Sequence, residues 1–340
     1  MATLAEVARL AGVTAATVSN VLRGRGKVGE ETRARVLDTI QRVGYRPHLM
    51  ARALAEGRPP TIALMVTSIA NPFYPEFALA AERAARRQGQ FLLICNTDED
   101  PEIGRAYFNQ ISGTLAQGML VMNSRLDVAS LRGEKHAAPV VLCMWERPDQ
   151  PPELPCVAVD FFAAAVLATD HLLTLGHRRI SAIVGSEVTG IHAARFEGFQ
   201  AAMRTAGVPL SDSDVMFTVD SIQGGYVAAQ ALLRAEPRPT AIFATNDLPA
   251  LGAISAATDM GLSVPRDISI IGITDIQLAR ESRPALTSVA IPTVAAADLA
   301  VALLSELVLF GDAIPNKMRV APPPVLMPRD TTGPCATRSV

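Results

Sequence analysis

Short polar side chains gather in one segment near the amino terminus of this 340-residue chain. Asn20 can donate to and accept from the edge of an adenine, while Ala15 and Ala16 offer methyl groups that suit the methyl of thymine. The remaining polar residues of the segment suit contacts with phosphates: Thr14, Thr17, Ser19 and Arg23. These residue types favour the recognition of a DNA major groove.

Helix signals place these residues on the second of three short helices. Thr3 and Glu6 have the spacing of a capping box at the start of the first helix, and Gly12 marks its end. A third amphipathic stretch, from about Glu30 to Val43, supplies apolar residues for a small core. The pattern predicts a helix-turn-helix DNA-binding domain over residues 1–46. A small helical bundle that binds no DNA is the alternative.

The charge of the chain is unevenly distributed. Residues 1–60 contain ten Lys and Arg against five Asp and Glu, a net charge of +5, whereas the other 280 residues carry −7. A small basic region attached to a larger acidic one suggests that the basic region meets a polyanion.

A short segment with apolar and basic residues follows, within residues 47–60. The eight residues from His48 to Ala55 are helical in composition, but an isolated helix in water needs about 12 to 15 residues. Leu54, with Arg52 nearby, could form a wedge that enters the minor groove. On these residues alone, an ordinary linker is favoured over such a hinge.

From residue 61 onwards, apolar strands alternate with amphipathic helices. Such strands predict parallel sheets that are buried on both faces. The predicted strands are Ile62–Val66, Phe91–Cys95, Gly118–Met122, Val140–Met144, Val157–Val159, Ile180–Val184, Ala241–Ala244 and Ser269–Ile273. This number favours two doubly wound α/β lobes over residues 61–330, with a ligand cleft between the carboxyl ends of their strands and a polar tail at residues 331–340.

Patterns of catalytic and metal-binding residues are missing from the sequence. It contains no glycine-rich phosphate loop after a strand, no GxSxG or HExxH motif, and no metal-ligand spacing among five histidines and four cysteines. No uninterrupted apolar run reaches the ~18 to 20 residues that span a bilayer, and the amino terminus lacks a secretory signal pattern. We therefore expect a cytoplasmic protein that is not an enzyme and has no cofactor, metal or membrane partner.

Several motifs resemble those of the lac repressor (LacI/GalR) family, collinearly from about residue 3 to residue 330. They are Thr3–Ala8, Ala11–Thr14, Thr17–Leu22, Gly44–Pro47, Asn71–Tyr74, Gly176–Ile180, Arg195–Phe199, Ala244–Asp247 and Val264–Ser269. The resemblance implies a nucleoid-associated transcriptional regulator, usually a repressor, with a body similar to periplasmic sugar-binding proteins. It implies homodimers on a pseudo-palindromic operator, and it makes the wedge role of Leu54 the favoured one.

The resemblance also implies an effector pocket. The expected effector-binding residues are Phe73, Tyr74, Trp145, Asp160, Arg195, Asn246 and Thr274. Three positions depart from the family pattern: His48 replaces an asparagine, and Met144 and Thr274 replace common aspartates.

The nature of the effector follows from these departures. Loss of two carboxylates favours a ligand with fewer hydroxyl groups, and Arg195 could form a bidentate pair with a ligand carboxylate. The resulting hypothesis is a sugar acid or another small organic acid, with a neutral sugar as the alternative. A solute-binding protein is a further alternative, although it would have no use for residues 1–58. The architecture is compatible with induction and with corepression.

Overall fold

The computed structural model describes residues 3–23, 26, 28–45, 60–112, 114–122, 138–186 and 192–335. The chain forms two compact units, residues 1–60 and residues 61–340, which we call the head and the body.

The head contains three helices around a small apolar core. They are α1 (Leu4–Ala11), α2 (Ala15–Arg23) and α3 (Glu30–Val43). Thr3 caps α1 by accepting the Glu6 amide at 3.2 Å, and Gly12 ends it with a left-handed φ of 64°. The buried side chains are Val7, Ala8, Ala11, Val18, Val21 and Val36. The predicted helix-turn-helix arrangement is confirmed.

The described part of the body contains two six-stranded sheets. The first has the order β11-β5-β4-β3-β1-β2 and the second the order β12-β10-β9-β8-β6-β7. The strands of the first sheet are β1 (Thr61–Val66), β2 (Phe91–Asn96), β3 (Met119–Met122), β4 (Val140–Trp145), β5 (Cys156–Ala158) and β11 (Met318–Val320). Those of the second are β6 (Ile180–Val184), β7 (Val215–Phe217), β8 (Ala241–Ala244), β9 (Ser269–Thr274), β10 (Thr287–Ala290) and β12 (Val325–Met327).

Helices cover these sheets. They are α4 (Phe73–Arg87), α5 (Pro101–Ile111), α6 (Phe161–Thr174), α7 (Ala193–Thr205), α8 (Ile222–Leu233), α9 (Asp247–Asp259), α10 (Gln277–Glu281) and α11 (Thr293–Phe310), with short 3₁₀ helices at Asp212–Asp214 and Gly311–Ala313. All strand pairs are parallel except β10 with β12. The predicted pair of parallel-sheet lobes is therefore confirmed.

Four of the observed strands were not predicted from the sequence. β7, β11 and β12 lie at sheet edges and are partly exposed, and with three residues each they are shorter than the apolar runs of about 4 to 8 residues that predict a strand. β10 is buried but begins with Thr287 and Ser288, whose hydroxyls bond within the protein. Hydroxyl residues in a buried strand conceal the apolar pattern that prediction depends on.

Helix α11 is long and apolar enough, by length and composition alone, to cross a membrane. In the structure it contacts α4 and β4, and it buries Ala300, Leu303 and Leu304. Packing on the first sheet therefore accounts for the buried part of its apolar surface, while Val294, Leu309 and Phe310 are exposed.

The end of the described chain is packed into the second sheet. Thr331 is fully buried, and its hydroxyl donates to the Ile270 carbonyl at 2.7 Å. The Cys335 amide donates to the Leu175 carbonyl at 2.8 Å. Residues 331–335 of the predicted tail thus belong to the packed body, and residues 336–340 lie outside the described residues.

Candidate functional site

The second helix of the head buries one face and exposes the other. Val18 and Val21 point into the head core, whereas Ala15, Ala16 and Asn20 are exposed. This division follows from helical periodicity, because residues three apart share a face. The exposed face thus carries the three residues predicted to contact base edges.

The predicted phosphate-contacting residues flank that face. The Thr14 hydroxyl caps α2 by accepting the Thr17 amide at 3.1 Å, and the two hydroxyls lie 2.9 Å apart. Ser19 is partly exposed, and α2 ends at Arg23. The other two predicted DNA-binding residues, Arg52 and Leu54, lie outside the described residues, as does His48.

In the body, the carboxyl ends of the two sheets meet directly. The Asn71 amide, in the loop after β1, donates to Asp220 Oδ2 at 3.2 Å. The Arg195 guanidinium, on α7, forms an ion pair of 2.8 Å with Glu146, which follows β4. Ligands of open parallel sheets bind at this edge, so these contacts locate the candidate effector cleft.

Arg195 is a buried cation of the cleft that is bonded to both sheets' neighbouring segments. It is only 2% exposed, it donates to the Thr245 carbonyl at 2.9 Å, and its Cζ lies 4.0 Å from the centre of the Phe161 ring. A Cβ atom on Gly198 would lie 2.4 Å from the Phe162 carbonyl oxygen, so glycine permits the close packing of α6 on α7. The Nε atom has no hydrogen-bond partner among the described residues.

The strand that leads to Glu146, β4, ends irregularly. The register of β4 against β5 shifts between Cys143 and Trp145, and Met144 has a left-handed φ of 60°. Burial raises the pKa of Glu146 against the opposing effect of Arg195. One of its carboxylate oxygens, Oε2, is buried without a partner in the described structure.

Asp220 is a second carboxylate of the cleft. Its Oδ2 atom accepts from the Asn246 amide at 2.7 Å as well as from Asn71. Burial raises the pKa of Asp220 to about 6, although Arg195 and the two amides act in the opposite direction. The other oxygen, Oδ1, is buried and has no partner among the described residues.

A hydrogen-bonded network fixes Asn246. The Thr274 hydroxyl lies 3.0 Å from Asn246 Oδ1 and 3.0 Å from Asp247 Oδ2, and Ser288 donates to Asp247 at 2.6 Å. Burial raises the pKa of Asp247 to about 6. Thr274 itself is buried and has a φ of 117°, a conformation that side chains of L-residues rarely adopt.

The remaining predicted effector residues adjoin these contacts. Phe73 and Tyr74 are buried with ring centroids 5.7 Å apart, and the Phe73 amide donates to Asn71. The Trp145 indole donates to the Gln150 carbonyl at 2.9 Å, and Asp160 caps α6 by accepting the Ala163 amide at 2.8 Å. Asn246 and Thr274 touch directly, while Arg195 binds the carbonyl of the neighbouring residue Thr245.

Sequence reasoning missed Asn71, Glu146, His192 and Asp220. His192 is buried with Nδ1 3.1 Å from the Thr245 hydroxyl, and burial, assisted by Arg195, lowers its pKa well below the usual value. The available signal was its position in the sequence, because Glu146 lies two residues after the predicted strand Val140–Met144. Within the described ranges, no group of three or more His, Cys, Asp or Glu side chains is arranged to hold a metal ion.

Comparisons with known proteins match both units. The pattern described as bacterial regulatory proteins, lacI family, matches residues 3–48, and the periplasmic binding protein-like domain matches residues 169–332. The chain is 36% identical over 293 residues to the HTH-type transcriptional repressor PurR of Haemophilus influenzae (strain PittEE), covering 85% of this chain and 86% of that protein.

Solved structures share the fold. A complex of the transcriptional regulator CelR with cellobiose has a TM-score of 0.72 and 27% identity, covering 97% of this chain and 100% of that one. The lac repressor dimer bound to operator and the anti-inducer ONPF has a TM-score of 0.84, with 22% identity over 98% of this chain and 99% of that one. The chain therefore belongs to the lacI family of bacterial regulatory proteins, and it is a DNA-binding transcriptional regulator rather than an enzyme.

Proposed function

We propose that this regulator is a repressor, and that a small hydroxyl-rich effector bound between the two sheets of the body controls its affinity for a pseudo-palindromic operator. The observation that carries the proposal is the direct contact between the two sheets at their carboxyl ends, through Arg195 with Glu146 and Asp220 with Asn71. A ligand inserted among these residues touches both lobes, so its binding free energy depends on how the lobes are arranged.

The exposed face of α2 supports the DNA-binding half of the proposal. Asn20 presents a side chain suited to adenine, and Ala15 and Ala16 present methyl groups suited to thymine. Thr14, Thr17, Ser19 and Arg23 are assigned to phosphates, and the hinge residues Arg52 and Leu54 to the minor groove. Binding to a chromosomal operator would place the protein in the cytoplasm, at the nucleoid.

Exposed apolar residues at two equivalent sheet edges support a homodimer. β2 ends the strand order of the first sheet, and it exposes Phe91 and Ile94. β7 ends the order of the second sheet, and the segment after it exposes Val219, Ile222 and Val227. Apolar patches of this kind mark protein interfaces. Two copies joined through them would carry two heads, which matches an operator with two half-sites.

The contacts of Arg195 favour a ligand without a carboxylate. The hypothesis of an acidic effector rested on this guanidinium, but its charge is already balanced by Glu146 at 2.8 Å. The partnerless atoms of the cleft include two carboxylate oxygens, Glu146 Oε2 and Asp220 Oδ1, which require donors. Hydroxyl groups are such donors, as on the cellobiose of the CelR complex. We therefore favour a sugar-like effector over an acidic one.

The regulatory effect follows from linkage. If the effector prefers one arrangement of the lobes by about 1–3 kcal/mol, operator affinity changes by roughly 5- to 150-fold. The sign of this change distinguishes an inducer from a corepressor.

The test starts with the selection of duplexes by the full chain from a random library. An enriched inverted repeat is the expected result, with affinity that falls steeply as salt rises. A screen of sugars by thermal shift then identifies ligands whose effect on operator affinity is measured. Failure to prefer any inverted repeat over random duplexes, with or without a ligand, would overturn the proposed function.

A further inference from the structure

Asp220 is a half-buried residue whose carboxylate has no counter-ion among the described residues, and its Oδ1 atom is itself buried. Both of its protein contacts are neutral amides, from Asn246 and Asn71, and both reach the same oxygen, Oδ2. No Lys, Arg or His in the described part of the chain lies within ion-pair distance of it. Such a charge is costly to bury unless a partner compensates it, and the bare Oδ1 atom is the position for that partner.

The groups around Asp220 do not supply this compensation. Arg195 is close enough to act on it electrostatically, but the two terminal nitrogens of its guanidinium bind Glu146 and the Thr245 carbonyl. Glu146 and Asp247 add like charge. His192, with its lowered pKa, is neutral near pH 7. These groups therefore comprise three carboxylates, those of Asp220, Glu146 and Asp247, and one cation, Arg195.

A glycine leaves space beside the bare oxygen. A Cβ atom on Gly185, which follows β6, would lie 3.0 Å from Asp220 Oδ1 and 3.0 Å from the His192 ring. No side chain of residue 185 therefore covers Oδ1. The other partnerless atoms close by are an acceptor, Glu146 Oε2, and a donor, Arg195 Nε.

We propose that Asp220 determines the specificity of the effector cleft by binding a protonated amine through Oδ1, which makes the effector an amino sugar or a related hydroxylated amine. Hydroxyl groups of the same molecule pair with Glu146 Oε2 and Arg195 Nε. Because the inference concerns the same cleft, it rests on the proposed function.

Charge separates this ligand class from its analogues. A hydroxyl group can donate to Asp220, but an ammonium group also neutralises the charge of the carboxylate, which is costly to leave uncompensated away from water. A ligand carboxylate would instead place a third negative charge beside Glu146 and Asp220. We expect an amine to bind about tenfold or more tightly than the matching neutral sugar.

The test compares a hexosamine, its parent hexose and its hexuronate in the gluco, galacto and manno series. Calorimetry with the full chain at pH 7 measures affinity. The expected result is that the amine binds most tightly in at least one series and the acid least tightly. Equal or tighter binding of the hexose or hexuronate, or no binding in any series, would overturn the assignment.

Two variants connect the preference to this carboxylate. Asp220→Asn keeps the shape but removes the charge, so affinity for the hexosamine should fall to that for the hexose. Asp170→Asn makes the same change on the exposed surface of α6 and should leave the preference intact. An amine preference that survives in Asp220→Asn contradicts the inference. Operator binding by the same preparations separates the two proposals, because specific binding without an amine preference overturns this inference alone.

Discussion

Asn20 in the head and Arg195 in the body are both assigned binding roles, but their side chains differ in exposure and in the number of protein contacts. Asn20 is exposed, and its backbone lies on a helix whose opposite face forms the core. Arg195 is 2% exposed and bonded to Glu146 and Thr245. A surface that reads a polymer can expose its binding groups, whereas a cleft that encloses a small molecule must bury them. Folding and binding should therefore be separable in the head and coupled in the body.

Removal of the head gives the largest expected effect. Each unit has its own core, so deletion of residues 1–58 should leave a folded body that still binds effector. Specific operator binding should vanish in a gel-shift titration, because the exposed face of α2 is gone. Loss of effector binding in calorimetry, with the body still folded by circular dichroism, would show that the cleft depends on the head.

Arg195→Ala tests the coupling within the body. The variant leaves the Glu146 carboxylate buried without its counter-ion, which costs about 3–5 kcal/mol for a buried pair. Denaturant unfolding of the body should show this loss, together with weaker effector binding. Arg204→Ala, on the exposed end of the same helix, is the matched control and should change stability little. Equal stability of the two variants would mean that the pair is solvated.

The features that the sequence could predict are those that depend on interactions between residues close together in the chain. Caps and periodicity act within a few residues, so α1, α2 and the apolar strands could be predicted from the sequence. Asp220 and Asn71 are 149 positions apart, and no spacing rule connects them. β7, the strand before Asp220, has only three residues, so the sequence did not mark Asp220 as a residue that follows a strand end.

The same limit applies to the role of Arg195. The resemblance identified it as a pocket residue, but its partner Glu146 is 49 positions away and follows an irregular end of β4, which no local pattern predicts. The assignment of individual effector and DNA-binding residues stays a prediction until variants are measured.

Asn20→Ala tests whether binding and folding are separable in the head. Loss of a bidentate contact to a base should weaken operator binding by about 1–3 kcal/mol and relax specificity at one base pair of each half-site. The melting temperature of the head should not change, since this side chain is exposed. Gln41→Ala, also exposed but on α3, provides the control for a non-specific surface effect. A large drop in head stability would show that folding and binding are coupled in the head as well as in the body.

The pH dependence of body stability should reveal the buried carboxylates. The pKa of Asp220 is raised to about 6 in the folded state, above the unfolded value near 3.9. Its stabilising contribution is therefore fully present below about pH 4 and is lost as pH rises through 6, by about 1.4 kcal/mol between pH 5 and pH 8. Asp220→Asn should gain stability relative to the native chain over this interval, whereas Asp170→Asn should not. A difference that is independent of pH would contradict the raised pKa.

Thr274→Val produces the smallest expected change, and it tests whether one hydroxyl of the polar network in the body supports both folding and binding. Valine preserves the shape and the β-branch of threonine, so any cost of the φ of 117° is common to both residues. Only the hydroxyl near Asn246 and Asp247 is lost, which should reduce body stability by about 1 kcal/mol.

Effector affinity should fall with it, because the Asn246 amide that orients Asp220 loses its own support. Thr274→Ser retains the hydroxyl and removes the β-branch, so both stability and effector affinity should stay near their native values. If only serine weakens effector binding, the methyl group of Thr274 positions the cleft, and the polar network does not. If only valine does so, the network that crosses from Asp247 to Asn71 is the element that couples folding to binding in the body.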